Sequence, residues 1–209
     1  GDADVAARSG CEVVKGRAED GLMTPATLIF HVDRVDQDAL RDEIYQSGSF
    51  RFREKVQSLR AAGEWPFLYD IFISVQLHEK GTLMINTTRI RSVAPALGVR
   101  ETRRIVGDYV YSVDDLAAAR DFADTIAFSG YGFDLPDPKK PSYQPMHTDK
   151  DAPKLKRDYT PIPYCVMVPR PVKNLLCPGR SISVERHVLG PLREQAPCYG
   201  MGQAAGQAA

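Results

Sequence analysis

Between Phe67 and Leu77 the chain reads FLYDIFISVQL, and its side chains alternate with a period of two. Phe67, Tyr69, Ile71, Ile73, Val75 and Leu77 fall on one face of an extended chain; Leu68, Asp70, Phe72, Ser74 and Gln76 fall on the other. A helix turns by about 100° per residue and would scatter those apolar groups around its surface. The stretch is therefore expected to be a strand with one face well buried. Glu79-Lys80-Gly81 makes a short turn, and Thr82–Ile90 (TLMINTTRI) returns as the partner. The expectation is an antiparallel hairpin, not a strand–helix–strand unit.

The flanks add helices and further strands. Thr27–Val35 reads as a strand. A helix follows it, capped by Asp36 or Asp38, with Leu40 and Ile44 on its inner face and Gly48 as its stop. A second helix is expected over Phe50–Ala62, with Phe52, Val56 and Leu59 inward and Gly63 and Pro66 ending it. Ile105–Tyr111 reads as a short strand. Ser112-Val-Asp-Asp115 resembles a capping box, so a helix should start near Val113 and carry Leu116 inward. Asp134–Asp158 holds five prolines and many charges and reads as a long loop or lid. Pro161–Pro171 is expected as an edge strand, because prolines flank it. Asn174–Cys177 is expected as a short apolar strand. The fold class is mixed α/β, built around an antiparallel sheet.

Composition excludes several function classes. The 209 residues carry 27 basic and 27 acidic side chains, so nothing points to nucleic acid. No apolar run approaches the ~20 residues that span a bilayer, and no membrane role is expected. Cys11, Cys165, Cys177 and Cys198 form no CxxC pair; they are read as free thiols in a reducing, cytoplasmic setting, with no metal site. No GxGxxG occurs, so the phosphate-cradling turn of a dinucleotide fold is not in this sequence. With Gly as its first residue, the chain is expected to be a processed form or a fragment.

Four blocks carry a family resemblance. They are Gly1-Asp-Ala-Asp-Val-Ala-Ala-Arg-Ser-Gly10, Asn86-Thr-Thr-Arg89, Gly98–Val110 (GVRETRRIVGDYV, with Asp114-Asp115 soon after), and the segment Tyr159–Ala209. In that last segment NLLC runs into Pro178-Gly179-Arg180, and the chain closes in residues rich in Gly, Ala and Gln. The chain resembles the FAD-dependent oxidoreductases of the two-dinucleotide-binding, glutathione-reductase-like superfamily. The resemblance implies that residues 1–25 are the tail of an FAD-binding domain, 26–171 a substrate or cap domain, and 172–209 the C-terminal FAD-binding segment, Rossmann-like in fold. It implies FAD as cofactor, a small-molecule substrate, and either the missing FAD-binding domain or a second copy of the chain as partner. Only Ile90–Leu97 joins the second and third blocks, where the family carries a longer helical insert.

The residues can be read for the same chemistry. Reduced flavin gathers negative charge, and a helix N-terminus with free N–H groups stabilises such charge. Leu189-Gly-Pro-Leu-Arg193 sits where such a helix would begin, with Gly190 permitting close approach. Gly190, Leu192 and Arg193 are therefore cofactor candidates, as are Gly179, Arg180 and Ser181 beside the ribityl or pyrophosphate, and Gly1 and Asp2 from the first block. The alternative is a turn and small-residue helix packed closely for structural reasons. Arg100, Arg103 and Arg104 crowd like charge and need an anionic partner: a substrate carboxylate, a phosphate, or Glu101 and nearby acids. Arg100 and Arg103 are candidate catalytic residues, and Arg89 shares their ambiguity. His187 is the favoured proton-transfer residue, since His titrates near neutrality; Glu185 is second, and His31, His78 and His147 are weaker. Cys198 and Cys177 are read as small hydrophobes.

The function expected is hydride transfer between a small polar or anionic substrate and flavin, by a chain inactive alone. The alternative is a cofactor-free binding module derived from that family.

Overall fold

The computed structural model describes residues 3–26, 29–49, 51–66, 70–76, 80–85, 98–139, 146, 150 and 152–209. In chain order the elements are α1 (Asp4–Arg8), β1 (Val13–Lys15), β2 (Phe30–Val32), α2 (Gln37–Ser47), α3 (Arg53–Ala61), β3 (Ser74–Gln76), β4 (Leu83–Ile85), β5 (Arg103–Ile105), α4 (Val113–Ala117), β6 (Thr125–Ser129) and β7 (Thr160–Pro163). Two 3-10 turns, Tyr164–Met167 and Arg186–Val188, precede α5 (Leu189–Leu192) and α6 (Gln195–Ala208). They divide into two units: a larger one of residues 1–24, 100–138 and 143–209, and a smaller one of 25–99 and 139–142. Residues 100–138 thus cluster with both ends of the chain and not with the stretch that precedes them.

In the smaller unit β4 lies between β2 and β3, antiparallel to both, with Ile85 opposite Phe30 and Ser74. The expected hairpin is present, but its first strand is shorter than the alternation suggested. The ladder covers only Ser74–Gln76 among the described residues. Ile71 is buried, yet Val75 from the same expected face is 48% exposed, while Phe72 from the opposite face packs on the core of Phe30, Leu83 and Ile85. Outside the ladder, residues 70–73 do not hold strict alternation, so the face read from the sequence splits. Asp36 caps α2, its carboxylate accepting from the N–H groups of Asp38 and Ala39 at 3.1 and 3.0 Å. Gly48, at φ 63°, ends that helix in the left-handed region where glycine carries no penalty. In α3, Val56 is 2% exposed, and Phe52 meets Phe72 edge to face at 5.9 Å.

The larger unit is held by pairings remote in sequence. β1 runs antiparallel to β5, with Val13 opposite Ile105, and β6 runs antiparallel to β7, with Ser129 opposite Thr160. Tyr111 bridges Val184 in parallel. Ser112 caps α4 through the Asp115 N–H, and Leu116 is fully buried, as the capping box implied. The core gathers Tyr111, Leu116, Ile162, Met167, Ile182, Leu189, Leu192 and Met201. The terminal helix α6 packs on β6, and Gly200 explains part of its small-residue composition: a Cβ there would stand 2.8 Å from that of Ala127.

Three expectations are corrected. Ile105–Tyr111 is not a continuous strand; β5 ends at Ile105 and Tyr111 makes only its bridge. Pro161–Pro171 is a strand only to Pro163, after which the chain winds into a 3-10 turn. Asn174–Cys177 is no strand: Asn174 sits at φ 60°, and among the described residues the segment's one backbone tie runs from the Cys177 N–H to the Met167 carbonyl at 2.8 Å. Mixed helix and strand with antiparallel ladders agrees with the α/β class expected.

Candidate functional site

The arginine-rich block is extended, so neighbours point to opposite sides. Arg103 faces outward and pairs with Asp4 of α1. Arg104 faces inward, and its side chain is 6% exposed. Glu101, with no exposed side-chain surface, lies between Arg104 and Arg186. Its Oε1 accepts from Arg104 Nη1 and Arg186 Nε, both at 3.0 Å. Its Oε2 accepts from Arg186 Nη2 at 2.9 Å, the Thr24 N–H at 2.6 Å and the Thr24 hydroxyl at 2.9 Å. Of the partners weighed for these arginines, Arg104 thus takes Glu101, a carboxylate of its own chain. Burial and the Arg186 charge press the Arg104 guanidinium downward, against the pull of Glu101. Arg100 is half-buried at the start of the larger unit's second stretch.

His187 follows Arg186 in the second 3-10 turn and is half-buried. Its Nδ1 is shut from solvent and has no hydrogen-bond partner among the described residues. Burial first, and then the Arg186 charge, hold its pKa below the ordinary histidine value. At neutral pH the ring is uncharged and able to take a proton. Glu185, the second candidate, is engaged elsewhere: its carboxylate accepts from the Val113 N–H at 2.8 Å, at the start of α4.

The cofactor candidates separate into two groups. Gly179 turns at φ 90°, and among the described residues the one atom within 4 Å of its would-be Cβ is Cys198 Sγ at 3.9 Å. The turn therefore comes up beside the first turn of α6, which begins after Glu194 with no side-chain cap. The charges of Arg180 and Arg193 both act on Cys198, although burial dominates and raises that thiol. The Arg193 side chain is 8% exposed; it reaches Asp134 through Nη2 and Glu194 through Nη1, and its buried Nε has no partner among the described residues. Gly179, Arg180, Cys198 and Arg193 thus converge on one helix start. Ser181 is buried in the segment leading away from that turn, its carbonyl accepting from the Ile105 N–H.

Gly190 and Leu192 lie elsewhere. Leu192 is fully buried in the core. A Cβ on Gly190 would stand 2.8 Å from the Asp134 backbone nitrogen, so the close approach that glycine permits is taken by the chain's own loop. Residues 189–192 are a short buried turn continuing the 3-10 turn before it, and the uncapped helix start lies at Gln195. Gly1, Asp2, His78, His147, the Asn86–Arg89 block and the Ile90–Leu97 connection lie outside the described residues. Arg186, Thr24 and Asp134 were missed; they stand 85, 77 and 59 residues from their partners, and no local pattern marks them.

The four cysteines are free, and burial raises Cys165 to about 11. Among the described residues no helix is long and apolar enough to cross a membrane.

The profile of the FAD dependent oxidoreductase family matches residues 51–209, about three quarters of the chain. The chain belongs to the FAD-dependent oxidoreductase family. No curated protein and no solved structure matches it.

Proposed function

We propose that this chain is part of an oxidoreductase that transfers hydride between a small polar or anionic substrate and FAD. Family membership supports FAD as the cofactor. The observation that carries the site is the convergence of Gly179, Arg180 and Arg193 at the uncapped start of α6. The residues fit the group: a glycine turn with room beside it, free N–H groups at a helix start, and a buried Arg193 Nε with no partner. When bound, FAD supplies the two-electron acceptor.

The protein's part is binding, orientation and the proton. Arg180 and Ser181 would hold phosphate or ribityl oxygens of the group. The amides of Gln195 and Ala196 would answer its negative charge. Asp134 and Glu194 fix the Arg193 guanidinium, so that its remaining N–H faces one way. His187, neutral at working pH, accepts the proton released as the substrate is oxidised. Residues 1–25 and 172–209 belong to the cofactor-binding part, and 26–171 supplies the substrate side.

An absorption spectrum of the protein as its source makes it tests this. A flavin band near ~450 nm that weakens in Arg180→Met, at unchanged circular dichroism, is the expected result. A colourless protein that takes up no added FAD overturns it and leaves the cofactor-free binding module.

A further inference from the structure

Past the Ser129–Thr160 pair the β6–β7 ladder ends and its two chains part. Between them lies a cleft of about 280 Å³, walled by Ser129–Gly132 on one side and by Leu155 and Arg157–Thr160 on the other. The walls come together at Gly130, where a Cβ would touch the Asp158 carbonyl oxygen at 3.8 Å. Aromatic rings stand half in water around this opening. Tyr131 is 47% exposed and Tyr159 44%. Phe128 is 62% exposed and meets Tyr159 edge to face, their centroids 5.5 Å apart. Exposed rings gathered at one concavity mark a surface built to cover an apolar face.

The charges say which face. Arg157 donates to both oxygens of Asp121, at 2.8 and 3.2 Å, and lies over the Tyr159 ring at 5.7 Å. Its charge is therefore already answered. Asp158 lines the cleft and is exposed, and the Tyr131 hydroxyl reaches Asp134 at 3.5 Å. Asp134 is itself held by Arg193, so the cleft keeps a neutralised cation and the Asp158 carboxylate, which do not draw an anion. Thr160, on the cleft wall, keeps its Oγ1 buried with no partner among the described residues. Water occupies roughly 30 Å³ per molecule, so the volume suits a single ring with its substituents.

The loop behind the cleft is fastened to the segment assigned above to the cofactor. Ser129 Oγ donates to the Pro191 carbonyl at 2.9 Å, and Arg193 Nη2 donates to the Asp134 carbonyl at 3.1 Å.

We propose that this cleft binds a single-ring molecule bearing hydroxyl groups and no anionic group, its ring face against Tyr131 and Tyr159 and its hydroxyls on Asp158. Naming that molecule the substrate class rests on the flavin reading above; the binding does not.

The test is NMR of the full chain, with tyrosine rings and leucine methyls labelled, titrated with cis-1,2-cyclohexanediol and cyclohexanecarboxylate. The diol is expected to shift Tyr131, Tyr159 and Leu155 with millimolar affinity, and the carboxylate to bind at least tenfold more weakly, on the order of 1.4 kcal/mol. Tyr159→Leu should weaken the diol about tenfold. Asp158→Asn, which preserves shape, should weaken it severalfold with the remaining spectrum unchanged. Absence of shifts at these three residues, or the carboxylate binding as well as the diol, overturns the proposal. Because no flavin is needed, a diol response in a protein without a flavin band keeps the cleft and removes only the substrate label.

Discussion

In the smaller unit Arg41 reaches Asp38 and Asp42 on its own helix, and Lys55 reaches Glu43, all at the surface. In the larger unit Glu101 has no exposed surface, and its partners arrive from 77 residues upstream and 85 downstream. The residue types are the same and their physical roles differ. The surface pairs are screened and compete with water, so they contribute little. The buried carboxylate has lost its water entirely, and five donors replace it. What it adds is specificity: two guanidiniums without it would be uncompensated charge in a dry place.

The sharpest way to break this contrast is Glu101→Gln. It leaves Arg104 and Arg186 buried without their counter-charge and should cost about 3–5 kcal/mol, read from urea unfolding. A loss below about 1 kcal/mol would put Glu101 on the same footing as the surface pairs. Next in size is a cavity in the larger core: Leu192→Ala should cost about 2–5 kcal/mol in the same titration. Asp36→Ala, which removes the α2 cap, should cost about 1 kcal/mol. Lys55→Ala should leave the melting temperature where it is.

The pH dependence sharpens the contrast from another side. His187 binds its proton less readily folded than unfolded. Stability is therefore complete above the ordinary histidine value of about 6.5 and declines as pH falls below it, until the folded pKa is passed. His187→Gln should flatten the slope of stability between about pH 7 and 5. An unchanged slope would mean that neither burial nor the Arg186 charge holds the ring's pKa down.

Local signals were legible in the sequence. Asp36 and Gly48 bracket α2, Ser112 opens α4, Val56 faces inward, and the β3–β4 hairpin closes where Gly81 turns. Each is decided within a few residues, by a side-chain oxygen, a positive φ or a turn. Pairings decided at a distance were not legible. β6 was missed because its partner begins 31 residues beyond its end and no tight turn joins them. Asn174–Cys177 looked like a strand by composition, but no strand remained to pair with it. At the site, Glu101 was among the partners weighed for the arginines, whereas Arg186 sits in an unremarkable loop far along the chain. Gly190 read as room for a ligand; glycine records only that something comes close, and here that is Asp134.

The larger unit is assembled from stretches on both sides of the smaller one, and this sets an order on its birth. Thr24 is made 162 residues before Arg186, with which it shares Glu101. At roughly 5–20 residues per second, that is on the order of ten to thirty seconds of translation. Over that interval β1 lacks its β5 partner first and the arginine clasp afterwards, while the smaller unit emerges between them. The nascent chain must keep the stretch around Thr24 from misassociating until Arg186 leaves the ribosome.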